Sequence, residues 1–249
     1  MTDNGKDNPL EVLNHRPISA WPWPRVAVGV PQERAMSHAD DVFYNFWAIA
    51  QQGTPIIPMP YGRVDVVRNK MAARLLMSDY THLLMLDIDH KHPWDIVQRL
   101  ARWVLADKEI QVVGGSNFRR SKPFDPCWGY WGKDHKYYPA MEWEAGLIKV
   151  DMVGTGSILI AREVFELLPA PWFFNDYSRA WADSWPGEDI GFAKKCGEHG
   201  VSMYVDTTTT SPHLADALVE ESTYKNHIEQ EGWKGEAYDE IVERDKEPA

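Results

Sequence analysis

Cysteine is nearly absent from this chain: Cys127 and Cys196 are the only 2 in 249 residues, and neither sits in a metal-type pair. That excludes a disulfide framework and fits a reducing compartment. No apolar run approaches the ~18 residues of a membrane-spanning helix. The opening Met-Thr-Asp-Asn-Gly-Lys-Asp-Asn lacks signal-peptide character. A soluble cytoplasmic protein with no integral membrane segment is therefore expected. Positive charge is in deficit too: 26 Lys and Arg against 37 Asp and Glu leave a formal net charge of −11. That balance argues against bulk binding of nucleic acid or an anionic membrane, while a local basic groove stays open. The chain shows no internal repeat and no low-complexity linker.

What is present is ordinary for a globular protein, with 44% hydrophobic and 25% charged residues, except that Trp occurs 12 times. Many of these Trp fall between residues 128 and 185. After a polar arm at 1–24, β-branched residues at 25–30 predict a strand that Pro31 stops. Helical spacing follows at 38–50, a short strand at 54–59 and another helix at 64–77. Next come an apolar strand ending at residue 87, a helix over 93–106 with Pro93 in its first turn, and a strand at 111–115. This βαβα alternation predicts a mostly parallel central sheet flanked by helices. Residues 117–146 are aromatic-rich without clear periodicity, and 147–161 resume as β around Gly154-Thr155-Gly156. A helix at 162–168, an aromatic stretch at 172–185, a helix at 187–199 and a strand at 201–205 complete the pattern. The expected organisation is one catalytic domain over 25–215, with a nucleotide-binding half to about 116, an acceptor-side half from 117, and a charged tail over 216–249.

The most informative stretch is Leu83-Leu-Met-Leu-Asp-Ile-Asp-His90. Four apolar residues suit a strand covered on both faces. If that strand continues, Asp87 and Asp89 lie two apart on one side and converge at its C-terminal end, where open α/β sheets bind ligands. Two converging carboxylates call for a cation, and a hard divalent ion such as Mg2+ or Mn2+ would answer. The same alternation puts His90 and His92 on the other face, where they either add ligands after a sharp turn or face solvent.

Further along stand Gly187-Glu-Asp189, opening a helix, and Ser211-Pro-His213, after a strand and a threonine run. Asp-x-Asp after a βαβ half, Glu-Asp at a late helix and a histidine beyond the next strand, in that order, resemble the GT-A glycosyltransferases, particularly the family 2-like members. Arg68-Asn69 matches the Arg-Asn pair common in that family, and the resemblance runs from about residue 25 to residue 215.

The resemblance implies a GT-A-like, Rossmann-like α/β fold and a hexosyltransferase-type enzyme that moves a sugar from a nucleotide sugar, expected to be a UDP-sugar, to a hydroxyl. It implies Asp87, Asp89 and His213 around the metal, with the imidazole favouring Mn2+ over Mg2+. Pro31 and Glu33 would border the base, and Arg68 and Asn69 would contact the base or diphosphate, with Asp87 near the ribose. Gly154, Thr155 and Gly156 would let the backbone approach the donor sugar, unless those glycines mark a bulge or tight bend. Asp189 would act as general base of an inverting reaction, with Glu188 orienting the acceptor or the loop. Trp128, Tyr130, Trp131, Tyr137, Tyr138, Trp143, Trp172, Trp181 and Trp185 would surround the acceptor side, where aromatic faces stack on sugars or unstacked bases. The acceptor is open among glycans, small molecules, proteins and modified nucleobases. A nucleotidyltransferase making nucleotide sugars is the nearest alternative, but Val30-Pro-Gln-Glu-Arg34 lacks the glycine-rich loop such enzymes carry. A metal-dependent hydrolase built on Asp87, Asp89, His90 and His92, and a non-catalytic carbohydrate-binding protein, are the other readings.

Overall fold

Strands whose every residue is buried need a cover on both faces, and the helices supply it. The structure is a computed structural model that describes residues 25–30, 39–51, 53–59, 62–133, 136–175, 187–215 and 218–231. The strands are β1 (Val26–Val30), β2 (Ile56–Pro58), β3 (His82–Leu86), β4 (Val112–Ser116), β5 (Trp128–Trp131), β6 (Tyr137–Pro139), β7 (Leu147–Val150), β8 (Met152–Val153), β9 (Ser157–Ala161), β10 (Met203–Thr210), β11 (His213–Leu214) and β12 (Leu218–Val219). The helices are α1 (Ala39–Ala50), α2 (Val64–Leu76), α3 (Ile96–Ala106), α4 (Arg162–Leu167), α5 (Glu188–Glu198) and α6 (Glu221–Glu231).

Seven strands form the central sheet in the order β2-β1-β3-β9-β4-β10-β7. β9 runs antiparallel to β3 and β4, and β7 runs antiparallel to β10. The other five strands share one direction. The mostly parallel, helix-flanked sheet expected of a GT-A-like fold is therefore present. Side-chain alternation splits the core into two layers. Ala27, Leu83, Met85, Val112, Ile158 and Ile160 meet Val67, Met71, Phe165 and Phe192 from α2, α4 and α5. Val28, Leu84, Leu86, Val113 and Leu159 meet Ile49 of α1 and Ile96, Leu100 and Val104 of α3.

Two differences from expectation bear on the site. Residues 93–95 turn before α3 begins, with the Ile96 amide donating to the Pro93 carbonyl at 3.1 Å, so Pro93 precedes the helix. β10 runs five residues beyond 205, to Thr210, because a register shift after Asp206 is stabilised from within. The buried Asp206 carboxylate accepts from Thr208 Oγ1 at 2.6 Å, Thr209 Oγ1 at 2.7 Å and Arg102 Nη2 at 2.8 Å. That irregularity carries the chain from β10 into Ser211 and His213. The aromatic stretch without periodicity supplies the hairpin β5–β6, and β8 from beyond it pairs with β5 to complete a three-stranded sheet, β6-β5-β8. β12 and α6 add a third cluster, Phe118, Val219 and Tyr224, against which Trp143 packs. No helix among the described residues is long and apolar enough to cross a membrane.

Candidate functional site

The C-terminal ends of β3, β4 and β10 open onto one edge of the sheet, and the turn before β9 and the start of α5 join them there. β3 stops at Leu86, and Ile88 and Asp89 form a turn. The extended path that would keep Asp87 and Asp89 side by side is therefore broken, and the two carboxylates go to different partners.

Asp89 faces two imidazoles. Its Oδ1 lies 3.1 Å from His90 Nδ1, and its Oδ2 lies 3.2 Å from His213 Nε2. Arg120, from the loop after β4, also reaches Oδ2 at 3.2 Å and is about half exposed. One donor atom from each of Asp89, His90 and His213 lies within 4.8 Å of the others. His90 and His213 stack with ring centroids 4.1 Å apart. Their segments are stitched by backbone bonds: Lys91 N donates to Pro212 O at 2.8 Å, and Leu214 N to Asp89 O at 2.7 Å. Burial works against the Asp89 charge, but hydrogen bonds and charge from His213 and His90 hold its carboxyl far below the usual range. Burial likewise opposes charge on His213, and Asp89 reverses this, so its imidazole titrates above its ordinary value. A carboxylate and two imidazoles aimed at one point suit a divalent cation, so the residues fit the metal that the sequence implied.

His92, in contrast, is enclosed. Its Nε2 donates to the Asp87 carbonyl at 2.8 Å, and its Nδ1 accepts from Ser211 Oγ at 2.9 Å. Burial, reinforced by His90, pushes its pKa down to about 3. It is a neutral brace between the ends of β3 and β10, not a ligand.

Asp87 belongs to a second group centred on Arg68, which is 3% exposed. Arg68 Nη2 donates to both Asp87 oxygens at 3.0 and 3.1 Å, Nε to Glu188 Oε1 at 3.1 Å, and Nη1 to the Thr155 carbonyl at 3.1 Å. Burial alone would weaken its charge, and Asp87 and Glu188 more than offset this. Arg68, Asp87, Thr155 and Glu188 are thus brought together. Neighbouring Asn69 faces elsewhere: its amide donates to the Asp65 and Phe173 carbonyls at 2.8 and 2.6 Å and accepts from the Trp172 and Phe173 amides at 2.7 and 3.2 Å. Those bonds fill its side chain, leaving no group for a base or diphosphate.

Glu188 and Asp189 open α5, and burial raises both carboxyl pKa values. Arg68 lowers both in part, and for Asp189 the Ile190 amide, at 2.8 Å from Oδ1, is the larger counterweight. Asp189 looks toward the aromatic half of the chain. With burial, its charge pushes the Cys127 thiol up to about 12 and, together with Cys127, raises Tyr137 further.

The glycines around Thr155 serve close packing. A Cβ on Gly154 would lie 2.8 Å from the Cys127 Cβ and carbonyl oxygen. One on Gly156 would lie 2.8 Å from Asn117 Nδ2 and 3.0 Å from His90 Cε1. Two expected aromatic platforms prove to be core. Trp128 is fully buried and donates to Ser116 Oγ at 3.1 Å, and buried Trp172 donates to the Phe165 and Leu168 carbonyls at 2.9 and 3.0 Å. Tyr130, Trp131, Tyr137 and Trp143 are half-buried against that core. Pro31, Glu33, Trp181 and Trp185, the arm at 1–24 and most of the charged tail lie outside the described residues. Sequence reasoning did not single out Arg120 or Asn117; their only signal was position after the strand at 111–115.

Fold and site together define an α/β protein with a mostly parallel, helix-flanked sheet and a carboxylate–imidazole cluster at the C-terminal edge of that sheet. No protein-family model matches the chain, and no curated protein matches it. Among solved structures it is similar to A197 from STIV, with a TM-score of 0.56 and 19% identity over 78% of this chain and 93% of that one. That likeness is one of fold. A looser similarity links it to GalNAc-T7 with UDP, GalNAc and Mn2+, at TM-score 0.46 and 11% identity over 81% of this chain and 41% of that one. Glucosyl-3-phosphoglycerate synthase from Mycobacterium tuberculosis, in complex with phosphoglyceric acid, gives 0.45 and 13% identity over 76% and 72%. The last two superpose too loosely to bear on function.

Proposed function

We propose that the protein is a metal-dependent, inverting glycosyltransferase that moves a sugar from a nucleotide-sugar donor, a UDP-sugar in this reading, to a hydroxyl acceptor. One observation carries it: the Asp89 cation centre and the half-buried Glu188–Asp189 pair share one edge of the sheet, bridged by Asp87 and Arg68. Asp189 takes the proton of the acceptor hydroxyl while that oxygen attacks the anomeric carbon and the bond to the nucleoside diphosphate breaks. Its raised pKa brings it closer to the working range of a base than an exposed aspartate. Arg68 fixes Glu188, which orients the acceptor or the loop carrying Asp189. Arg120, exposed beside Asp89, supports phosphate oxygens. Asp89 and His213 would hold Mn2+ or Mg2+, which would supply charge neutralisation for the departing diphosphate.

The test is incubation with a panel of nucleotide sugars in Mn2+, in Mg2+ and in excess EDTA. Slow release of nucleoside diphosphate that stops in EDTA is expected, and Asp89→Ala should abolish it with the fold intact by circular dichroism. Full activity in EDTA or in the variant would sink the mechanism, and pyrophosphate exchange would point to nucleotidyl transfer.

A further inference from the structure

We infer that the cation centre consists of one carboxylate and two imidazoles, Asp89, His90 and His213, with Asp87 outside it. The inference rests on the metal-dependent reading above and changes its ligand set. His213 Nδ1 lies 2.9 Å from the Phe118 carbonyl, which only accepts, so that nitrogen carries the hydrogen. In the neutral ring Nε2 then carries the lone pair, 3.2 Å from Asp89 Oδ2, and in the charged ring a second proton joins the two. A metal ion between this nitrogen and the carboxylate takes the place of that proton, and a backbone carbonyl behind an imidazole is the usual support of a metal-bound histidine.

Asp87 has no comparable freedom. Both its oxygens are taken by Arg68, and its carbonyl is taken by His92. Turning Asp87 toward a metal would strip a buried guanidinium of a partner, and such unpaired buried charge is costly. His90 is already in place, 4% exposed, stacked on His213 and seated where Gly156 has no side chain. The buried Asn117 amide borders the same spot, and its Nδ2 has no hydrogen-bond partner. Rotation of that amide would offer its oxygen to a His90 ring N–H, the outer contact that metal-bound imidazoles keep. One oxygen and two nitrogen donors favour transition-series ions such as Mn2+, Co2+ or Zn2+ over Mg2+, which accepts nitrogen ligands least readily.

The experiment measures binding to the full chain directly: Mn2+ by the resonance signal of the free ion, alone and with UDP, and Co2+ by visible absorption. Mn2+ should bind, and an equal concentration of Mg2+ should not displace it. His90→Ala and the bulkier His90→Gln should each weaken Mn2+ binding about 10-fold or more and change the Co2+ spectrum. Asp87→Asn should leave both as they are, with circular dichroism checking every variant. Loss of binding in Asp87→Asn with binding kept in both His90 variants would overturn the assignment, as would equal competition by Mg2+ or no Mn2+ binding at all. Sugar transfer is assayed separately. Mn2+-dependent transfer in a protein whose Mn2+ site needs Asp87 overturns this inference alone, whereas transfer that survives EDTA overturns the proposed function.

Discussion

Asp189 combines two demands at a single residue: a half-buried carboxylate must stay charged, yet hold its proton more tightly than one in water. Burial raises its pKa, and the Ile190 amide and Arg68 keep the rise in check. Asp189→Asn preserves the shape but cannot accept a proton at neutral pH. Donor affinity should stay the same while transfer falls ~10²–10⁴-fold, the usual contribution of a positioned base. Comparing donor affinity with single-turnover rate checks this, and near-normal transfer would remove Asp189 from the mechanism. Glu188→Gln should slow transfer less and lower the melting temperature more, because it removes a charged partner from buried Arg68. At this scale Asp89, His213 and the Glu-Asp pair were legible as motifs. The place of His90 was not, because strand alternation puts it opposite Asp89 until the turn at 88–89 brings the two together.

At the scale of elements, α2 divides its labour between adjacent residues. Arg68 reaches the sheet edge, while Asn69 ties the helix to the backbone at 172–173. Both were legible as an Arg-Asn pair, but helical geometry points neighbouring residues about 100° apart, so one pair serves two purposes. Asn69→Ala should therefore cost about 1–3 kcal/mol of stability by leaving buried backbone groups unpaired, with little change in donor affinity at temperatures where the variant is folded. Denaturant unfolding with a donor titration measures both. A loss of donor affinity without a loss of stability would return Asn69 to the binding site. The glycines at 154 and 156 are explained by neighbours from other elements, Cys127, His90 and Asn117, which no local pattern could name.

Around the central sheet the core has two layers, and His82, on β3, is part of what makes that core sensitive to acid. Burial pushes its pKa down to about 4 from an ordinary 6.5. Between these values the unfolded chain binds a proton that the folded chain refuses, so folding stability rises with pH across this window. The contribution is complete above pH 6.5 and is lost as pH falls toward 4, at up to about 1.4 kcal/mol per pH unit for one such group. Urea unfolding from pH 7.5 to 4.5 should show this loss, and His82→Gln should make it shallower, with enclosed His92 keeping its own share. Stability that is unchanged or greater on acidification would contradict the prediction.

Composition, period and order were enough to establish an α/β chain with a mostly parallel sheet, because hydrophobic alternation and helical spacing are local properties written residue by residue. They also located the ends of the strands at which chemistry collects. Tertiary structure decided which groups meet there. The turn after β3 parted Asp87 from Asp89, and the irregularity in β10 delivered His213. The Arg68 guanidinium claimed Asp87, and close packing sent Trp128 and Trp172 into the core. These outcomes depend on partners from other elements, such as Arg68 for Asp87 and Asp89 for His213, and the energy of a buried charge or ring is set by such partners more than by its immediate neighbours in the chain.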